Sequence, residues 1–505
     1  MTSPSLKEPL LKTPINSAFT AGAKPIEEGS RTLVIISVPF IRNTRYLISS
    51  RIFEALKREY AILIVSPFCN QESFKREFGG PNVFFLEFDK SPDRLGPLIR
   101  YVYAVSEVLR RNGYWFRFRN KTMRYYWDFI TRSTQGMSSA NPGLSLKSKL
   151  INHTLGVLGY SRNSWKWLEN IFGSFFYDTK DIAPFTAGYS PTILVQTANW
   201  GYQERFLAYC SRKYSFKSIL LPYTTDQLVI NGYLLSSFDK ICAQGPIETP
   251  YALDFHGVAP QKISPLGMLW LRNIEYFQEE YCPVAATFPE TKSETVLLYA
   301  GLTATFFPRV SEFEAVDSLL NAIKTGILRN SRLIYRPAIT SPQDIEEVTG
   351  KYGSEILMEI QMPQPSCIGI SGDSIGDIKM EMVEYIQQIR SIDVLIMSAT
   401  TTMLFDALYF DIPCIANFTD STSTLDSIGF TGAYLKNDAT LRSAPAMPIA
   451  HSLQEMIQFV KEASENPASH QQVKRSTFAE WDYGTPNYVS QFLGLVKDLE
   501  HEYHA

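Results

Sequence analysis

The chain has 505 residues, with 48 Lys and Arg against 51 Asp and Glu, and a formal net charge of −3. That length suits two to four domains with ample core, and the near-neutral balance excludes a global attraction to nucleic acid. No apolar run reaches the ~18–20 residues of a transmembrane helix, and the six cysteines are scattered without a Cys-x-x-Cys pair, which argues against a disulfide framework or a zinc site and fits a reducing compartment.

Residues 1–30 are rich in Pro, Ser, Lys and Glu, lack an apolar signal core, and are expected to form a disordered tail. Residues 32–38 (TLVIISV) are an apolar run that predicts a strand buried on both faces. A loop, 39–44, leads into a helix expected to run to about Glu59, and 61–65 and 82–86 predict the second and third strands. The pattern resumes at 192–196, 218–221 and 240–243, and ends near 262–267. Strands alternating with helices predict a parallel, doubly wound sheet, here across residues 31–275.

Within that half lies a segment of different composition, 98–185, expected to be a helical insert. Its centre carries Arg110, Arg111, Arg117, Arg119, Lys121, Arg124 and Arg132 against one acid, Asp128, interleaved with Tyr114, Trp115, Phe116, Phe118, Tyr125, Tyr126, Trp127 and Phe129. Basic residues beside Trp and Tyr suit a membrane interface, so 110–132 is a candidate membrane surface. The same pattern suits aromatics packed on the core with arginines in solvent, or single-stranded RNA. No RNA-binding module signature is present, and no nucleic-acid partner is expected.

Residues 276–292 carry Glu, Pro, Thr and Lys and are read as a linker. A second alternation occupies 293–480, with strands expected at 295–300 and 332–336 and a helix near 311–325. Residues 481–505 contain a last helix, expected at 487–501. The most informative stretch is 392–416 (IDVLIMSATTTMLFDALYFDIPCIA). It predicts a buried strand, a hydroxyl-rich turn, a helix and a second strand. A helix N-terminus after a parallel strand presents free N–H groups and partial positive charge, so Ser398, Thr400, Thr401 and Thr402 suit a phosphate. Ordinary N-capping is the alternative. Asp406, one helical turn on, is placed to reach a ribose hydroxyl, or else faces solvent.

These two halves resemble the GT-B glycosyltransferases, most closely the CDP-glycerol glycerophosphotransferase-like group. The strand, Ser/Thr-rich turn, helix and Asp-x-Pro turn of that group correspond to residues 393–397, 398–402, 403–410 and Asp411-Ile412-Pro413. A second likeness runs from Leu221 through Asp226, Gly232, Asp239, Gly245, His256-Gly257 and Leu266-Gly267. The resemblance implies two Rossmann-like domains, a nucleotide donor in the second, an acceptor in the first, chemistry between them, and a terminal helix crossing back. It also implies metal independence, in keeping with the absence of any Asp-x-Asp. The chain departs from the pattern at Arg336-Pro337-Ala338, where the group often has a histidine, and after Gly267, where the run is Met268-Leu269-Trp270-Leu271-Arg272.

Transfer to a hydroxyl needs a base at the acceptor and charge stabilisation at the leaving group. Asp226, after a strand end, is the first candidate base; its alternative is a turn-forming Asp. Glu204 is the second. Arg42 and Asn43 form a candidate acceptor or phosphate loop, with helix capping by Asn43 as the alternative. Gly301 and Thr303 are placed for close backbone approach to a diphosphate, and Arg336 for a phosphate. His256 is read as a last-turn residue of a helix bracketed by Pro246 and Gly257, not as a ligand. The leading expectation is a cytoplasmic transferase, peripheral on the inner membrane face. It moves a sugar or glycerophosphate from a nucleotide-sugar or CDP-glycerol donor to a lipid-linked or polysaccharide acceptor. A nucleotide-sugar epimerase of the same fold and a non-catalytic scaffold are the alternatives.

Overall fold

The computed structural model describes residues 32–40, 43–88, 97–118, 154, 157, 162–224, 227–230, 232–281, 294–302, 309–339, 341–362, 378–398, 401–419 and 447–504. The candidates Arg42, Asp226, Thr303 and Thr400, the tail 1–30 and the basic aromatic run from Arg119 to Arg132 lie outside the described residues.

The first domain is built on seven parallel strands: β1 (Leu33–Ser37), β2 (Ala61–Ser66), β3 (Val83–Glu87), β4 (Thr192–Gln196), β5 (Lys217–Leu220), β6 (Lys240–Ala243) and β7 (Ile263–Pro265). Their order is β3-β2-β1-β4-β5-β6-β7. β1, β2 and β4 are buried throughout and mostly apolar because helices cover both faces of the sheet, and side chains alternate between them. Val34, Ile36, Ile62, Ile64, Ile193 and Val195 pack against helices α1 (Arg51–Glu59) and α2 (Glu72–Phe78). Leu33, Ile35, Leu63, Val65 and Leu194 pack against α3 (Pro97–Phe118), α4 (Arg162–Phe176), α5 (Ala183–Gly188) and α6 (Tyr202–Tyr214).

The helix expected to run unbroken to Glu59 is split. A π-type turn spans Thr44–Ile48, and α1 starts afresh at Ser50, whose hydroxyl accepts from Phe53 N at 3.3 Å. The start of the basic aromatic run is core, not surface: Arg110 and Tyr114 are fully buried. Arg110 pairs with Glu107 at 3.0 Å and donates to the Tyr233 and Asn199 carbonyls at 2.8 and 3.2 Å. A guanidinium can be buried there because its donors meet acceptors and its charge meets a carboxylate.

Helix α7 (Leu269–Tyr281) continues through 276–281, residues read from the sequence as linker; 282–293 lie outside the described residues. The apolar face of α7, Leu271, Ile274 and Phe277, is buried against Met382, Ile386, Phe405 and Trp481 of the second domain. This helix therefore joins the domains by packing.

The second domain has six parallel strands: β8 (Thr295–Ala300), β9 (Ser331–Arg336), β10 (Met358–Ile360), β11 (Val394–Ser398), β12 (Cys414–Asn417) and β13 (Ile449–Ala450), in the order β10-β9-β8-β11-β12-β13. Helices α8 (Arg309–Lys324), α9 (Pro342–Tyr352) and, later in the chain, α12 (Leu453–Glu465) cover one face. Helices α10 (Ile378–Ser391), α11 (Met403–Tyr409) and α13 (Gln471–Trp481) cover the other. Helix α14 (Tyr488–His504) leaves this domain and buries Phe492, Val496 and Leu499 in the core of the first. No described helix is long and apolar enough to cross a membrane.

Candidate functional site

In both sheets the order of strand addition reverses next to the first strand, between β1 and β4 and between β8 and β11. Open α/β sheets gather ligands at the carboxyl ends of strands at such points. In the first domain this edge is polar and buried. Asn43 Nδ2 donates to Thr197 Oγ1 at 2.8 Å, and Thr197 Oγ1 donates to the Ser37 carbonyl at 3.1 Å. Gln203 Nε2 donates to Ser37 Oγ and to the Val65 carbonyl, both at 2.8 Å. Asn43 makes no side-chain capping bond, so its side chain serves this cross-strand contact. Tyr223 N approaches the Thr197 carbonyl at 3.3 Å, as does Gln227 Nε2, so both sides of the Asp226 loop are tied to the end of β4. Above these groups Phe40 and Trp200 stack with ring centres 4.5 Å apart.

Glu204 stands in the first turn of α6, fully buried, where Gln196 Nε2 donates to its carboxylate and, at 3.0 Å, to its backbone carbonyl. Burial pushes the carboxyl up to about 8. At neutral pH it is a protonated acid, so it can donate a proton or hydrogen bond but is not a resting base. The linkage sign follows. The folded carboxyl keeps its proton to about pH 8 while an unfolded one loses it near 4.5, so the stability it allows is complete below 4.5 and falls as pH rises across that window. Glu204→Gln, whose amide replaces the protonated acid, is expected to match wild type near the bottom of the window. Above it the variant should be the more stable, by about 1.4 kcal/mol per pH unit crossed. Urea midpoints measured across pH check this.

In the second domain the matching edge is organised by a residue the sequence does not single out. Glu312, in the first turn of α8, is fully buried. Its carboxylate accepts from Arg309 Nη1 at 2.6 Å, from Leu302 N at 3.1 Å, from Ser398 Oγ at 3.3 Å and from the Tyr335 hydroxyl. The Tyr299 hydroxyl lies 2.8 Å from Ser398 Oγ and accepts from Asn417 Nδ2 at 2.9 Å. The Ser398 hydroxyl is held within this buried network, and Gly301 lies against Glu312: a Cβ there would lie 2.4 Å from Oε1. Thr401 is half-buried and accepts from Met403 N at 3.3 Å; Thr402 is exposed and makes no capping bond.

Between the domains runs a chain of aromatic and charged groups. Arg336, at the end of β9, donates to Gln388 Oε1 at 2.9 Å and lies over the Tyr385 ring at 5.2 Å. The Tyr385 hydroxyl and the Trp270 indole N–H both donate to Asp406. Trp270 lies 5.1 Å from the Tyr46 ring, and Tyr46 lies 5.6 Å from Tyr223. Asn273 Nδ2 adds a 2.8 Å bond to the Tyr46 carbonyl. These contacts link the end of β9 and helices α10 and α11 of one domain to α7 and the segments that follow β1 and β5 in the other. Asp406 is buried and does not face solvent. Each of its oxygens is engaged, and burial pushes its carboxyl up to about 6. Trp270 and Tyr385 were missed because their partner is 136 and 21 residues away. Glu312 has a local trace only in the glycine that its carboxylate demands.

His256 follows a π-type turn at Tyr251–Phe255, is buried, stacks on Tyr114 at 5.3 Å, and lies 2.6 Å from the Leu228 carbonyl through Nε2. It is part of the core.

No family model and no curated protein matches the sequence. Among solved structures, the chain is similar to a putative UDP-N-acetylglucosamine 2-epimerase from Listeria monocytogenes, at 11% identity over 94% of this chain and 98% of that one, with a TM-score of 0.50. It is similar to another UDP-N-acetylglucosamine 2-epimerase at 9% identity, over 94% and 97% of the two chains, again with a TM-score of 0.50. The wall teichoic acid polymerase TagF is also matched, at 11% identity over 94% and 90%, with a TM-score of 0.43. At such identities the likeness is one of fold: the chain has the two-domain GT-B architecture.

Proposed function

We propose that this chain is a transferase that moves a sugar or a glycerophosphate from a nucleotide-activated donor, bound by the second domain, to a lipid-linked or surface-polysaccharide precursor, bound by the first. The observation that carries this reading is the chain of contacts through Arg336, Tyr385, Asp406, Trp270 and Tyr46, which joins the segments beyond the strand ends of the two sheets. One edge offers the N–H groups and hydroxyl of the Thr401–Thr402 turn and the Arg336 guanidinium, which suit a diphosphate. The other offers buried amides, the protonated Glu204 and the Asp226 loop, which suit a hydroxyl-bearing acceptor. The donor charge is met by these groups, so the enzyme works without a metal. Such an enzyme acts in the cytoplasm, at the inner face of the membrane that holds its acceptor.

Thr401→Val is expected to weaken donor binding about tenfold, the loss of one hydrogen bond to a charged group. Calorimetric titration checks it. The reaction class is tested by following free nucleotide and intact donor together. Nucleotide release that depends on added acceptor supports transfer. Conversion of a free nucleotide-sugar into its epimer without acceptor makes the chain an epimerase. Absence of both, with no donor bound, makes it a scaffold.

A further inference from the structure

Helix α4 has two apolar faces, and only one is covered. Trp165, Phe172 and Gly173 point into the domain, and Gly173 lies against the Tyr209 ring. At the complementary positions, four residues apart along the helix, Trp167, Ile171 and Phe175 are 64%, 36% and 78% exposed. Residues at i, i+4 and i+8 share one face, so these three form a continuous stripe. On the neighbouring α3, Tyr101 is 68% exposed. The two helices run antiparallel, with Tyr103 beside Phe172 at 6.4 Å and Leu109 in one cluster with Trp165. Tyr101 thus stands near the Phe175 end of the stripe.

On the two helices themselves the outward charge has one sign; past the end of α4 the exposed Asp178 is paired with Lys180 at 3.9 Å, and Asp181 is exposed. The only acids on α3 and α4 are Glu107 and Glu169. Both are turned inward: Glu107 pairs with Arg110 and Arg111 at 3.0 Å and Arg205 at 3.2 Å, and Glu169 pairs with Arg205. The outer side keeps Arg100 and Arg117, both exposed, and the half-buried Lys166. A face of Trp, Tyr, Phe and Ile on two helices whose outward charges are cations is complementary to a bilayer interface with anionic headgroups. An acidic protein partner would meet the cations but leave the aromatic stripe without an apolar counterpart.

We infer that the outer face of the α3–α4 pair docks on an anionic phospholipid surface, with Trp167, Ile171 and Phe175 entering the headgroup layer. This deepens the transfer reading, on which its biological sense rests, by naming where the membrane meets the enzyme. The vesicle experiment needs no donor, and donor binding needs no vesicle, so either can fail alone.

The test is co-sedimentation of the full chain with vesicles of phosphatidylcholine and phosphatidylglycerol, and with phosphatidylcholine alone. Wild type should pellet with the mixed vesicles and weakly with the neutral ones. The double variant W167S/F175S should lose at least about tenfold in partitioning, since each removes a large apolar group from the lipid contact. Both side chains are mostly exposed, so the variant should keep wild-type circular dichroism and melting temperature. The charge variant R100E/R117E should lose binding to the mixed vesicles alone. Equal pelleting of wild type and W167S/F175S overturns the inference, as does failure of wild type to pellet with either vesicle. So does a wild-type dimer that the double variant dissociates while vesicle binding is unchanged; the stripe is then a self-association face.

Discussion

Arg205→Met is expected to cost the first domain about 3–5 kcal/mol of stability, because it leaves a buried carboxylate without its counter-ion. Arg205 and Glu169 are both buried and paired. The guanidinium also reaches Glu107 at 3.2 Å and the Ser106 hydroxyl, and lies 4.4 Å from the Tyr103 ring centre. One side chain on α6 therefore ties both insert helices, α3 and α4, to the helix whose first turn carries Glu204. Methionine fills similar volume but satisfies none of the acceptors. Glu169→Gln should cost less, since Arg205 keeps Glu107 and the amide oxygen still accepts a bond. Urea denaturation of both variants gives the comparison; a methionine variant as stable as the glutamine one would contradict the assigned role.

Gly301→Ala is expected to destabilise the second domain by about 3 kcal/mol and to abolish nucleotide binding. The added Cβ would lie 2.4 Å from Glu312 Oε1 and 2.8 Å from Cδ. The carboxylate cannot move aside cheaply, because Arg309, Tyr335 and Leu302 N hold it in place. Displacing it separates a buried ion pair and shifts the ends of β8 and β11 together. Vesicle binding, a property of the first domain, should survive. Melting of the variant with and without nucleotide measures both effects. Retained nucleotide binding would show that the Glu312 network does not shape the donor edge.

The sheets were legible in the sequence because β1, β2, β8 and β11 are short apolar runs that only a doubly covered parallel sheet explains. The strand–turn–helix unit around Ser398 was legible for the same reason, with hydroxyls marking its turn. What the hydroxyls bond to was not. Ser398 looks like a phosphate ligand from its neighbours in sequence, and its hydroxyl meets Tyr299 and Glu312 from two other elements. Asp406 shows the same limit: a polar residue on one helix face can meet solvent, ligand or another domain, and the partner that decides it, Trp270, is 136 residues away. The start of the basic aromatic run shows the same limit. Arg110 is core because carbonyls from distant loops receive it. Trp167 and Phe175, which the sequence does not single out for any role, are exposed.

The central claim is that the second domain holds a nucleotide-activated donor at the carboxyl edge of its sheet. The most direct measurement is the thermal shift of the intact chain with CMP, CDP, UDP, GDP, ADP and dTDP, without added metal. A ligand at 100 times its dissociation constant adds about 2.7 kcal/mol to the stability of the domain that binds it. One nucleotide should stand out from the rest, and its shift should vanish in Gly301→Ala. No shift with any of the six would contradict the claim.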